Sequence, residues 1–381
     1  MISIKNKKDC CGCGACVQRC PRKCISMQTD KEGFAYPVVD TTKCSDCGLC
    51  NKVCPVINQQ AEQHPIATYA AINSNNMVRE ESSSGGIFTL LANETINNGG
   101  IVFGAVFNEK WKVEHIFVDN ANDLGRLRGS KYVQSNIGNS YAMAEKFLKE
   151  GKEVLFSGTP CQVAGLKKYL RKEYKNLKTV DFVCHGTPSP EVWKMYLDEV
   201  CRINNIGNII DIQFRNKAEG WKKFILQITY TGYDGKERIF RETLNVNLFM
   251  KCFLSNLCLR PSCYHCPARS GKSGSDITLG DLWGAECICP EIDDDKGLSL
   301  VMIRKEQELP ECNKIVIPYN EALKYNPSIS TDVTIPHKRN KFFRLVYKNG
   351  VCKATRTCTT QSKFEVIWNK IVWNIKNRIL K

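Results

Sequence analysis

The sequence predicts an α+β protein: a small cysteine-rich module followed by a larger domain in which strands and helices alternate. Two observations carry this expectation. Ten of the 22 cysteines fall within the first 54 residues, and none lies between Cys54 and Cys161. From His64 onward, short β-like runs alternate with helical stretches, the pattern of a sheet covered by helices. With 381 residues the chain is long enough for two to three domains of roughly 150 residues each. Its 43% hydrophobic and 24% charged content is ordinary for a globular protein. No apolar run approaches the roughly 20 residues of a membrane helix, and Met-Ile-Ser-Ile-Lys-Asn-Lys-Lys lacks the apolar core of a secretory signal. A cytoplasmic chain is therefore expected, with reduced thiols, and its cysteines need a reason other than disulfides.

The N-terminal module, residues 1–60, supplies one. Cys10, Cys13, Cys16 and Cys20 follow C-x2-C-x2-C-x3-C-P, closing with Pro21; Cys44, Cys47, Cys50 and Cys54 repeat it, closing with Pro55. This spacing binds two [4Fe–4S] clusters, the fourth cysteine of each run serving the other cluster. Three closely spaced thiolates wrap one cube, and the proline turns the fourth sulfur away. One cluster is then assigned to Cys10, Cys13, Cys16 and Cys54, the other to Cys44, Cys47, Cys50 and Cys20. Zinc sites favour paired C-x2-C arms over such runs. Cys11 and Cys24 fall outside the pattern and read as structural.

In residues 65–335, runs at 66–72, 101–107 and 113–118 read as strands. Ser82-Ser83-Ser84-Gly85-Gly86 precedes a helical pattern from Ile87; small residues at a helix start offer backbone N–H groups to a phosphate, although a plain capped helix looks the same. Residues 153–156 form a buried strand pattern that turns through Ser157-Gly158-Thr159-Pro160-Cys161 into a helix over 162–172. A second strand at 179–183 leads to Cys184-His185-Gly186, after which Ser189 caps a helix with Pro190 at its first position. Both cysteines thus lie at carboxyl ends of strands, where open α/β sheets build their sites. Cys263-x2-Cys266 is a chelating pair that needs two more thiolates, and Cys161 and Cys184 are suitable donors for either a cube or a zinc ion. A strand at 275–279 ends in Gly280-Asp281-Leu282-Trp283-Gly284.

Taken together, Ser83-Ser84-Gly85-Gly86, Gly129-Ser130-Lys131-Tyr132-Val133-Gln134-Ser135, Gly158-Thr159-Pro160-Cys161-Gln162, Cys184-His185-Gly186, Cys263-x2-Cys266 and Gly280-Asp281-Leu282-Trp283-Gly284 resemble the family of coenzyme F420 hydrogenase/dehydrogenase beta subunits. The likeness covers roughly residues 65–305, with a bacterial dicluster ferredoxin-like module in front. It implies an α/β flavoprotein domain that binds FAD beside a third [4Fe–4S] cluster, held by Cys161, Cys184, Cys263 and Cys266, with Cys258 in reserve. It also implies that Ser83, Ser84, Gly85 and Gly86 seat the FAD phosphates. Ser130, Gln134, Lys272 and Asp281 would lie near flavin or substrate. Lys131, Tyr132 and His185 would act in catalysis, Lys131 by stabilising a reduced flavin and the other two as proton relays. The activity implied is electron transfer between clusters and FAD to reduce or oxidise a small organic substrate or a deazaflavin. The alternative is a non-catalytic electron-transfer subunit. An oxygen-poor setting suits three such clusters.

The formal charge of +15 falls to about +9 once each cluster with its thiolates contributes 2−. That balance suits an acidic electron partner such as a ferredoxin. No nucleic-acid motif or Arg/Lys stripe with interleaved aromatics is present, so nucleic acid is not an expected partner. Residues 336–381 read as a basic helical extension. Its segment 363–381 is amphipathic and suggests packing on the core or a partner, with peripheral membrane contact as the lesser alternative.

Overall fold

The computed structural model describes residues 1–360. The helix expected over 363–381 lies outside the described residues. In the N-terminal module, two short helices, α1 (Ala15–Arg19) and α2 (Leu49–Lys52), flank an antiparallel hairpin of β1 (Ile25–Thr29) and β2 (Ala35–Val39). Gly14 and Gly48 precede α1 and α2 with φ of 75° and 71°. Only glycine adopts this left-handed geometry without strain, and it turns the cysteine run into a loop around a centre.

The larger domain runs β3 (Ala67–Ile72), α3 (Asn76–Glu81), α4 (Ile87–Asn97), β4 (Ile101–Phe107), β5 (Val113–Val118), α5 (Leu124–Leu127), α6 (Ser140–Lys149), β6 (Val154–Ser157), α7 (Pro160–Leu170), β7 (Leu177–Phe182) and α8 (Pro190–Ile203). An antiparallel trio follows, β8 (Asn208–Asn216), β9 (Ile225–Thr231) and β10 (Glu237–Thr243). The remaining elements are α9 (Leu248–Leu254), β11 (Ile277–Asp281), α10 (Ala285–Ile288), β12 (Ser299–Ile303), β13 (Asn313–Val316), α11 (Tyr319–Tyr325), α12 (Arg339–Asn349) and α13 (Val351–Thr359).

Eight strands form the main sheet in the order β13-β3-β12-β11-β7-β6-β4-β5. The central β4, β6, β7 and β11 are parallel. Since β12 is antiparallel to both β11 and β3, β3 shares their direction. Parallel strands buried on both faces read as continuous apolar runs, which is why 101–107 and 153–156 were legible. The carboxyl ends of β3, β6, β7 and β11 therefore open on one edge, and the loops that carry Ser83–Gly86, Cys161, Cys184 and Asp281 gather there.

α4 covers one face of the sheet through Ile87, Leu91 and Ala92, against Val102, Leu155 and Val301. α6 and α7 cover the other through Tyr141, Ala144, Val163 and Leu166, against Phe103 and Phe156. That second core also contains Cys11, Cys13, Ala15 and Val53, so the cysteine-rich module packs into the same apolar mass rather than hanging from a linker. The start of the expected C-terminal extension is likewise built in: α12 and α13 place Phe342, Val346, Val351 and Ala354 in a core with Trp193 and Phe249. Arg339 of α12 forks onto Glu32 at 2.9 and 2.6 Å, tying this end of the chain to the N-terminal module. Among the described residues no helix is long and apolar enough to cross a membrane.

Candidate functional site

The N-terminal thiols divide between two cavities. Cys10, Cys13, Cys16 and Cys54 line the inner one, with Cys11. Cys20, Cys44, Cys47 and Cys50 line the outer one, with Cys24. The fourth cysteine of each run thus lies with the other run's triplet. Burial, then the nearby Cys10 and Cys54, pushes the Cys16 thiol up to about 12. Such crowded thiols resist ionising together unless a cationic core offsets them, and an iron–sulfur cube supplies that core. Cys24 sits with its Sγ 3.4 Å from that of Cys20, closer to the outer site than a purely packing role requires.

α7 starts earlier than the pattern suggested, at Pro160, because Thr159 and Gln162 form a capping box: the Thr159 N–H donates to Gln162 Oε1 at 3.0 Å. Cys161 thereby falls in the first turn, its Sγ 3.2 Å from Thr159 Oγ1. Cys184, two residues beyond β7, Cys263 and Cys266 complete a group whose thiols influence one another electrostatically, Cys161 acting on the other three. Burial raises Cys184 well above its usual range and Cys266 to about 12. Thr187 N–H points at Cys263 Sγ at 3.4 Å. Cys258 is fully buried beside Cys252, in a core against which Cys263 also packs. Among the described residues no three His, Cys, Asp or Glu side chains gather closely enough to grip one metal ion. Zinc needs all its ligands within about 2.0–2.3 Å of a single point.

Sequence reasoning missed how closely these groups adjoin. Cys11 is buried in the core that holds Cys13 and against which Cys161 packs, and its thiol influences both, so the inner and third groups adjoin through it. Gly165, one turn after Cys161 on α7, makes room: a Cβ there would meet Cys13 Cβ at 2.9 Å and Cys13 Sγ at 3.1 Å. Arg260, 1% exposed, reaches across from the Cys263 segment. Its Nε donates to the Cys10 carbonyl at 2.8 Å, Nη2 to the Ala35 carbonyl at 2.9 Å, and Nη1 to Gln134 Oε1 at 3.0 Å. The one available signal was a glycine inside a helix pattern, which usually marks a close approach.

The Ser83–Gly86 turn lies at the carboxyl edge of β3. Gly86, at φ 83°, precedes α4 with no side-chain cap, so the helix start presents N–H groups rather than spending them on a neighbour. Ser130 donates from both N and Oγ to Ser83 Oγ, each at 2.7 Å. Lys131 bonds the Arg128 and Gly129 carbonyls, and burial lowers its amine to about 8. Ser84 and Gly85 face inward: Ser84 Oγ donates to the Leu298 carbonyl at 2.8 Å, and Gly85 N–H to Ser299 Oγ at 2.9 Å. Lys217, not foreseen, pins this turn by bonding the Ser84, Arg79 and Lys296 carbonyls. Burial, then Arg215 and Arg79, lowers its amine to about 8.

A second group adjoins. Buried Arg215 donates from Nη1 to Asp281 at 2.6 Å and to the Tyr132 hydroxyl at 3.2 Å, and it lies over the Phe224 ring. Tyr132 stacks on Phe253 at 4.8 Å, and His185 meets the same ring edge-on at 5.1 Å. His185 Nε2 is 2.6 Å from Asn256 Oδ1, and burial lowers its pKa. Ser83, Ser84, Gly85, Gly86, Ser130 and Lys131 are thus one cluster, and Tyr132, His185 and Asp281 its neighbour.

Gln134 and Lys272 join neither group. Both ends of Gln134 are spent at the module junction, on the Cys11 carbonyl and on Arg260. Lys272 pairs with Glu62 at 3.3 Å, on the chain leading into the amino end of β11, whereas Asp281 is at its carboxyl end.

The description "Coenzyme F420 hydrogenase/dehydrogenase, beta subunit" matches twice, by its N-terminal part over residues 68–140 and its C-terminal part over 151–316. The chain belongs to the family of coenzyme F420 hydrogenase/dehydrogenase beta subunits. In front of the family domain, residues 9–58 match a 4Fe-4S dicluster domain. A subunit of the F(420)H(2) dehydrogenase of Methanosarcina mazei is 25% identical over 230 residues, 56% of this chain and 63% of that protein. Coenzyme F420-dependent sulfite reductase of Methanocaldococcus jannaschii is 26% identical over 185 residues, 47% of this chain and 28% of that protein. The chain thus spans less than two thirds of either relative. A chain of the F420-reducing [NiFe] hydrogenase complex from Methanosarcina barkeri is 14% identical, with a TM-score of 0.42, covering 78% of this chain and 91% of its own. The two descriptions together place a 4Fe-4S dicluster module in front of a beta-subunit domain of this family.

Proposed function

We propose that this family member is an enzyme with three [4Fe–4S] clusters and one FAD, which exchanges electrons between a protein partner and a small organic substrate or deazaflavin. The observation that carries the reading is the contact of Cys13 with α7, the helix that bears Cys161, with the Cys11 thiol influencing both cysteines. Electron transfer needs such close approach. The inner and outer sets would hold two clusters, and Cys161, Cys184, Cys263 and Cys266 the third. A bound flavin supplies the exchange between paired and single electrons.

Around it, the chain's residues have separable tasks. The α4 start and the Ser83 hydroxyl, which Ser130 holds in place, present donors to phosphate, and the inward bonds of Ser84 and Gly85 hold the turn rigid against β12. Lys131 holds a proton up to about pH 8 and offers positive charge to a reduced, anionic ring. Arg215 fixes the Tyr132 hydroxyl, and Asn256 fixes His185, so both polar tips are oriented for proton delivery. An acidic ferredoxin suits the basic charge balance of the chain as the protein partner.

Metal, sulfide and flavin analysis of anaerobically purified protein tests the reading. About 12 iron atoms and one FAD per chain are expected, with about four irons lost in Cys184→Ala. Eight irons with no flavin would defeat the proposal. A second reading, a non-catalytic electron-transfer subunit, draws on one relative's being named as one subunit of a dehydrogenase. Dithionite-reduced protein that reoxidises on organic acceptors without added proteins supports the enzyme; reoxidation only by another protein supports the second reading.

A further inference from the structure

We propose that Arg260 tunes the inner cluster, raising its reduction potential by buried positive charge and a direct N–H···S contact, and so sets the direction in which electrons rest. The inference uses the dicluster domain and does not depend on the flavin. Arg260 is 1% exposed. Besides the backbone bonds already described, its Nη2 lies 3.6 Å from Cys10 Sγ, within the reach of a hydrogen bond to sulfur. A Cβ on Gly12 would stand 2.7 Å from Arg260 Nη1, so the first cysteine loop is shaped to admit the guanidinium. The rings of Tyr36 and Phe34, at 4.4 and 5.5 Å, close over it and keep water away.

The physical consequence follows from charge. An oxidised cube with four thiolates carries 2−, and one added electron makes it 3−. A fixed buried cation stabilises the second state more than the first, and low dielectric magnifies the difference. Donation to a cluster sulfur acts in the same sense. Only the electron moves; no bond breaks and no proton is transferred.

Arg260 also belongs to the other side of the junction. Its N–H bonds the Thr187 carbonyl at 3.0 Å and its carbonyl accepts from Cys263 N–H at 2.9 Å. The guanidinium therefore comes from the segment that holds the third thiol group, and an independent ferredoxin could not carry it. Its role is that of a positioning and tuning residue; it touches no substrate.

The test is an anaerobic potentiometric titration of the full chain, followed by electron paramagnetic resonance, on wild type, R260M and R260K. In R260M one of the one-electron steps should move at least tenfold toward the oxidised form, about 59 mV more negative, with a smaller shift in the same direction at the third thiol group, whose Cys161 and Cys263 also feel this cation, while the outer cluster's step stays in place. R260K keeps the charge but loses the planar fork, and the same step should move less in the same direction. Iron content of each variant is measured alongside. All steps moving together would mean a loosened module, and no step moving with iron retained would mean a purely structural clasp; either result overturns the proposal. If R260M cannot hold its inner cluster, R260K decides alone, an unchanged step counting against.

Discussion

His115 shows how much a single buried side chain commits. Its Nε2 faces the Ser157 carbonyl and its Nδ1 the Ser135 hydroxyl, both at 3.0 Å, and burial lowers its pKa to about 4. The unfolded ring titrates near 6.5. Below that value the unfolded chain binds a proton that the folded chain refuses, so stability present above about pH 6.5 is lost as pH falls toward 4. The loss amounts to roughly 3 kcal/mol at most. Denaturant midpoints of His115→Gln should lack this part of the pH dependence, and a variant as acid-sensitive as wild type would refute the assignment. None of this was visible in the sequence, where His115 is one polar residue in an alternating strand. By contrast, the eight N-terminal cysteines were legible because their spacing is local. Arg260 was not, because its partner Cys10 lies 250 positions away.

At the scale of elements, the strands and the α8 start were readable from apolar runs and from the Ser189-Pro190 pair, whose cap and proline sit as expected. The start of α7 lies two residues before the one that periodicity indicates, since a capping box depends on Gln162 turning back, a side-chain event that periodicity does not register. That box also holds Cys161 in place. Thr159→Ala should cost about 1 kcal/mol of stability and lower the iron retained at the third thiol group, measured by calorimetry and iron assay. Full iron retention at wild-type stability would show that the cap does neither. The pairing of Gln134 with Arg260 is the converse lesson. Sequence proximity groups this motif residue with Lys131 and Tyr132, but in a turn successive side chains point to different neighbours.

For the molecule as a whole, the decisive question is whether the N-terminal module is a docked domain or part of one body. Cys11, Cys13, Ala15 and Val53 share a core with α6 and α7, which answers for one body. Gly165 gives the test a distinctive sign. Inside an exposed helix, glycine to alanine stabilises by about 1 kcal/mol; here the new methyl would meet Cys13 and lie 2.7 Å from the Tyr141 hydroxyl. Gly165→Ala should instead destabilise by about 1–3 kcal/mol and reduce iron at the inner site, read by denaturation and iron assay together. A stabilised variant with full iron would mean that the two parts are merely neighbours.

The shared core has a kinetic consequence. Of the two N-terminal sites, the outer one includes the exposed Cys47, whereas the inner one has Cys13, Cys16 and Cys54 buried. On the proposed electron path a partner protein would meet the outer site, its arrival diffusive, steered by charge and screened by salt over about 8–10 Å. Past that point every proposed hop would occur within one molecule at a fixed separation, where neither concentration nor ionic strength enters. Salt should slow how often electrons are delivered, while leaving untouched how fast each delivered electron travels inward.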